Sequence, residues 1–218
     1  MSDIVLIAGS PARPARSTAA LIELARYLNA FGGSTARIEV SDLPSDALLG
    51  AQADHPILRE AIEAVNAARA VVVATPVYKA AYSGALKTFL DLLPPETLTG
   101  KLVTPLATGG TLAHLLVLEH ALKPVLGALG ARRFTGGVYL VDSEIPRHQD
   151  ESGAVRYHFD GDVERRLRRV ATEILEGLES LPGTDGAIYP ALKYGEQALM
   201  LRTSVRGSIW PEPGARFR

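Results

Sequence analysis

The stretch GSPARPARST, Gly9 to Thr18, carries the hydroxyls of Ser10, Ser17 and Thr18 and the guanidinium groups of Arg13 and Arg16. If it opens a helix, the free N–H groups of the first turn and the positive end of the helix dipole add to them, a combination suited to a phosphate. A simpler alternative is that Ser17 or Thr18 only caps the helix, as Ser and Thr often do. Three hydroxyls and two arginines so close together favour the anion. The stretch is not a P-loop, because GxxxxGK[ST] is absent, and the chain holds no GxG, so it lacks a Rossmann dinucleotide fingerprint as well.

Two further loops could complete such a site. In PVYKAAYSG, Pro76 to Gly84, Tyr78 offers an aromatic surface, and the peptide groups from Pro76 through Val77 and Tyr78 to Lys79 can hydrogen-bond the polar edge of a flat heterocycle. In TGGT, Thr108 to Thr111, Gly109 and Gly110 let the backbone approach that ring closely. Together the loops describe a binder of a phosphorylated cofactor with a planar ring. Other readings stay open: Tyr78 and Tyr82 as partly buried packing residues, Lys79 as a solvated charge, and Lys87 with Asp91 as an i, i+4 helix pair.

These loops need elements to hold them. Asp3 to Ala8, Thr35 to Val40, Ala70 to Thr75, Lys101 to Ala107 and Gly136 to Val141 read as strands, and most are apolar throughout, as parallel strands covered on both faces are. Helical patterns fall between and after them, near Ser17 to Phe31, Pro56 to Ala67, Ser83 to Leu93, Leu112 to Leu129 and Gly161 to Leu181. Alternating β and α elements predict an α/β fold, a three-layer, doubly wound, five-stranded parallel sheet of order 2-1-3-4-5. In that order the loops after strands 1, 3 and 4 open onto one crevice at the switch point, where all three unusual loops should meet.

Composition excludes several classes. The 218 residues, 47% hydrophobic with a formal charge of −1, suit one domain with an appended tail. With no cysteine, disulfide frameworks and thiol chemistry are absent. The balance of 23 Lys+Arg against 24 Asp+Glu gives no general attraction to nucleic acid. No apolar run reaches the roughly 20 residues of a membrane span and MSDIVLIAGS lacks secretory features, so the chain reads as cytoplasmic. His55, His114, His120, His148 and His158 form no HxxxH or HExxH pair and no GxSxG occurs, which leaves zinc and serine hydrolases without support.

GSPARPARST, ATPVYKAAYSGALKTFLDLLP, PLATGGT and HLLVLEHALKPVLGAL closely resemble the NAD(P)H-dependent FMN reductases of the flavodoxin-like superfamily, specifically those serving alkanesulfonate and methanesulfonate monooxygenases. The resemblance runs from about Ile4 to Ser180. It implies reduction of FMN by NADPH or NADH and delivery of reduced flavin to a partner monooxygenase. It also assigns residues: Ser10, Arg16, Ser17 and Thr18 to the phosphate, Pro76, Val77, Tyr78 and Lys79 to the ring and ribityl chain, and Thr108, Gly109 and Gly110 to the ring. Hydride passes directly between the two rings, so no side-chain catalyst is expected. A quinone or azo-dye reductase with retained FMN is the alternative, and a flavodoxin-type electron carrier is disfavoured by the near-neutral charge.

Two departures from the family pattern matter. Ala12 stands where many relatives have Arg, which leaves the role of Arg13 open. In the fourth helix alkanesulfonate-type relatives carry an inserted Tyr that makes a π-bulge at a tetramer interface, and His120 stands there instead. His120 is read as a packed or interface residue, with modulation of proton transfer as the other reading, and the helix is expected to widen there and to bend at Pro124. Leucines and valines around more than one stripe of that helix imply a second cover, a second subunit in a dimer or tetramer. Arg165, Arg166, Arg168 and Arg169 read as a solvated helix face, with the 2′-phosphate of NADPH as the alternative, and Val141 to Asp160 as a lid or interface loop. Residues 1–181 form the domain; 182–218 read as a Pro- and Gly-rich tail whose Tyr189, Tyr194, Trp210 and Phe217 anchor on a neighbour, or which is mobile.

Overall fold

The computed structural model describes residues 3–151 and 153–181; the tail from 182 onward, with its aromatic residues, lies outside the described residues. A parallel sheet runs in the order β2-β1-β3-β4-β5, from β1 (Ile4–Ala8), β2 (Thr35–Glu39), β3 (Ala70–Pro76), β4 (Leu102–Gly109) and β5 (Arg133–Phe134). This is the expected order. Adjacent residues of the central strands turn to opposite sides and both sides are covered. Val5, Ile7, Val71, Val73, Val103 and Ala107 join one core, and Ile4, Leu6, Ala70, Val72, Ala74 and Leu106 the other.

The first core is closed by α2 (Ser45–Leu49), α3 (Pro56–Ala67), α4 (Gly84–Leu90) and α5 (Lys123–Ala128). The second is closed by α1 (Arg16–Ala30) and α6 (Gly161–Glu179). Helix α6 shows why these segments are helical. Asp160 caps it by accepting from the amides of Asp162 and Val163, at 3.0 and 2.9 Å, and Val163, Leu167, Val170, Ile174 and Leu178 recur on its buried face. No helix among the described residues is long and apolar enough to cross a membrane.

Three differences from expectation have local causes. The fifth strand is divided: Arg133–Phe134 and β6 (Val138–Val141) both pair with β4, one before and one after a kink at Gly137. Gly137 has φ +72°, and a Cβ there would lie 2.8 Å from the Pro105 carbonyl oxygen. The single helix expected over Leu112 to Leu129 is a 3₁₀ turn at Leu112–His114, a π-helical segment at Leu118–Leu122 and then α5. Pro124 has no amide to return to the His120 carbonyl, so a regular α-helical ladder is broken where the helix widens. Finally, Arg147–Gln149 (β7) and Val155–Tyr157 (β8) form an antiparallel hairpin inside the segment read as a loop.

Candidate functional site

The loops after β1, β3 and β4 meet in one cleft, lined by Ser10, Arg16, Pro76, Val77, Tyr78, Thr108, Gly109 and Gly110 together with Ala12, Pro14, Ala15, Asp142, Arg147 and Tyr157. The first loop leaves β1 at Gly9, where a Cβ would lie 2.8 Å from that of Leu86. Ser10 is buried and stabilises the turn itself: its hydroxyl donates to the Ala12 carbonyl at 3.1 Å and accepts from the Ala12 amide at 3.2 Å. Arg13 turns away, donating to Ser41 and Glu39 at 2.8 and 3.0 Å and pairing with Asp42. Its uncertain place is resolved as an anchor between loop and β2.

Helix α1 begins without a side-chain cap: its N-cap is Ala15, so neither Ser17 nor Thr18 serves in that role. Ser17 is 1% exposed and its Oγ has no hydrogen-bond partner. A buried hydroxyl without a partner costs about 1–3 kcal/mol, and an uncapped helix start leaves amides free beside it. Ser17 lies behind Ala15 and Arg16, which line the cleft, and is not itself part of the lining; an anion at the start of α1 would relieve both, so the residues present fit a phosphate. Arg16 stands alongside, its Nε donating to the Ile145 carbonyl at 3.0 Å and its guanidinium 3.6 Å from Asp142. Thr18 lines a neighbouring depression with Ile22 and Glu39 rather than the cleft.

The second loop is tied to both of the others. Buried Ser83 caps α4 by accepting from the Leu86 amide at 3.0 Å, donates its hydroxyl to the Gly9 carbonyl, and sends its own amide to the Thr75 hydroxyl at 3.0 Å. Val77 donates to the Thr108 carbonyl at 2.8 Å. Between them Tyr78 and Ala81 exchange two backbone hydrogen bonds of 2.8 and 3.0 Å around a two-residue turn. Lys79 and Ala80 there have φ of 51° and 62°, a conformation that favours glycine. Lys79 sits at that tip, outside the cleft lining. Tyr78 lines the cleft at 45% exposure, whereas Tyr82 packs on the core.

The strained turn makes a first prediction. Ala80→Gly relieves a left-handed alanine, which costs about 1–2 kcal/mol, at an entropic cost of about 0.5–1 kcal/mol. A net gain of about 0.5–1 kcal/mol is expected, read as a melting temperature higher by about 1–4 °C. A lower Tm by calorimetry would contradict it.

The third loop is held from behind. Tyr139 donates its hydroxyl to the Thr111 carbonyl at 2.6 Å, and a Cβ on Gly109 would fall 2.4 Å from that hydroxyl. Burial, reinforced by the nearby Asp142 carboxylate, raises the pKa of the phenol, which keeps it a donor. Gly110 has nothing within 4 Å of a built Cβ and faces open space. The turn carrying Asp142 is fixed in turn by Glu144, which accepts from the Val141 amide at 2.6 Å and pairs with Arg166 at 2.7 Å.

Thr75, Ser83, Tyr139, Asp142, Glu144 and Tyr157 were not visible as site residues in the sequence, and only the serine before α4 gave a local signal, that of a cap. The arginine cluster of α6 is committed to its own surroundings: Arg165 to Asp162 at 2.9 Å, Arg168 to Glu164 at 3.9 Å and Arg169 to Glu173 at 3.5 Å. His120 is exposed on the π-helical segment and does not line the cleft. Among the described residues no cluster of acidic and histidine side chains could hold a metal.

Comparison with known proteins agrees with this geometry. The chain is 49% identical over 143 residues to an FMN reductase (NADPH) of Escherichia coli, covering 65% of this chain and 74% of that one. It is 43% identical over 142 residues to an FMN reductase (NADPH) of Pseudomonas putida, covering 65% and 72%. Among solved structures it superposes on the apo form of the NADH:FMN oxidoreductase EMOB with a TM-score of 0.73 and 34% identity, covering 87% of this chain and 97% of that one. Residues 2–145 match the model of the NADPH-dependent FMN reductase family, and the chain belongs to that family.

Proposed function

We propose that the cleft holds FMN with its phosphate at the start of α1 and its ring between Tyr78 and the Thr108–Gly110 loop, and that the chain reduces it with NADPH and releases it to a partner sulfonate monooxygenase. FMN supplies the hydride acceptor. The residues supply position: Arg16 and the hydroxyl of Ser17 hold the phosphate, and backbone groups of Pro76 to Tyr78 and of Gly109 and Gly110 meet the ring edge. Asp142 is turned to Arg16, 3.6 Å from its guanidinium, and hydride transfer between two stacked rings asks the residues for position. The observation that carries the reading is the buried, unpartnered Ser17 hydroxyl at an uncapped helix start beside Arg16.

NADPH in preference to NADH is supported by the names of the two relatives at 43–49% identity. The partner follows from the resemblance of the loop motifs, and it is tested by coupling. With NADPH, FMN and a purified sulfonate monooxygenase, this chain should support sulfite release from a sulfonate; no release, with the monooxygenase active on chemically reduced FMN, would rule the partner out.

A homo-oligomer is part of the same reading, because Leu112, Leu115 and Leu116 beside the π-helical segment are 66%, 44% and 58% exposed. Leu116→Asp is expected to convert a dimer or tetramer to monomer in light scattering at micromolar concentration. An unchanged mass would place the interface elsewhere.

A further inference from the structure

Arg147 lines the cleft from the β7–β8 hairpin, which begins just past residue 145, where the family match ends. Its guanidinium makes no ion pair or hydrogen bond among the described residues. It is not loosely carried. Arg147 sits opposite Tyr157 in the hairpin, Tyr157 packs on the core and lines the same cleft, and His158 donates to the Pro146 carbonyl at 3.1 Å. The residue therefore belongs to the anchored base of the hairpin and not to its tip.

Charge shows what it could do. The charged groups lining the cleft are Arg16, Arg147 and Asp142. Asp142 lies 3.6 Å from Arg16 and offsets it, and Arg16 spends its Nε on Ile145, so the net positive charge of the cleft is that of Arg147. A phosphate monoester carries about −1.5 to −2 at neutral pH, more than a half-compensated Arg16 balances. Guanidinium groups pair with phosphate through short, charge-assisted bonds.

We infer that Arg147 is the second phosphate-binding cation of the site and sets its selection of FMN over flavins without the phosphate. The inference rests on the cleft being the FMN site. It is an addition to that reading, since the residue lies beyond residue 145, the last that the family model matches.

The test is equilibrium binding, by quenching of flavin fluorescence, of FMN and of riboflavin to wild type, Arg147→Gln and Arg156→Gln. Arg156 lies on the same hairpin but pairs with Asp150 at 3.1 Å, so it controls for any general disturbance. Expected are an FMN Kd about tenfold weaker in Arg147→Gln, an unchanged riboflavin Kd, and an unchanged FMN to riboflavin ratio in Arg156→Gln. An unchanged FMN Kd, equal losses for both flavins, or the same loss in Arg156→Gln would overturn the assignment. So would an effect confined to the KM for NADPH and absent for NADH, which would place the guanidinium on the 2′-phosphate. If wild type itself fails to prefer FMN over riboflavin, the reading of the cleft as a flavin-phosphate site fails, a result distinguishable from failure of Arg147 alone.

Discussion

Replacing Ser83 by alanine is expected to lower the melting temperature by about 5–15 °C and to weaken FMN binding, although Ser83 does not line the cleft. The substitution removes the cap of α4, worth about 1 kcal/mol, and the hydroxyl donor to the buried Gly9 carbonyl, whose loss costs about 1–3 kcal/mol. For a domain of this size about 2–4 kcal/mol corresponds to that range of Tm. The same hydroxyl joins the first loop to the second, so the two halves of the cleft lose their common tether. Ser83→Thr keeps the hydroxyl and should recover most of the stability. Calorimetry decides: a Tm within 2 °C of wild type for Ser83→Ala would mean that the Ser83 bonds contribute little.

Arg16→Gln should weaken FMN about 10–150-fold, the span given by a charged hydrogen bond worth about 1.5–3 kcal/mol. Two consequences of the geometry push toward the upper end. Asp142 loses its partner and faces the phosphate, and the Ile145 carbonyl loses its donor, which loosens the turn carrying Asp142. Riboflavin, with no phosphate, should lose much less. A similar loss for both flavins in the same titration would mean that Arg16 acts on the shape of the cleft and not on the phosphate.

The central sheet was legible because β1 and β3 are short, almost wholly apolar runs rich in Val and Ile, and β4 is buried along its whole length although Thr104 and Thr108 interrupt its apolar residues. The meeting of three loops followed from strand order alone, since a switch point joins them whatever their sequences. What the sequence concealed was mostly polar and distant. Ser17 and Thr18 are neighbours of the same chemistry, yet one is buried without a partner and the other lies on a different surface; one residue of helix rotation decides this, and the loop's length before α1 sets that rotation. The segment from Val141 to Asp160 looked like one irregular loop because β7 and β8 are three residues each, too short to show alternation. The π-helical segment was anticipated from its resemblance and not from periodicity, because the leucines at 115, 116, 118 and 122 satisfy more than one helical stripe. Arg147 stood among other polar residues, and only the folded hairpin brings it to the cleft that Arg16 also lines.

Release of the reduced flavin separates the proposed flavin donor from an enzyme that retains its FMN. The measurement is made under anaerobic conditions with dialysed protein, following NADPH oxidation with and without added FMN and assaying reduced FMN in a filtrate that excludes the protein. Oxidation is expected to require added FMN, with reduced FMN accumulating in the filtrate over many turnovers. Flavin that stays with the protein through dialysis and reduces quinones or azo dyes while the filtrate remains free of reduced FMN would contradict it.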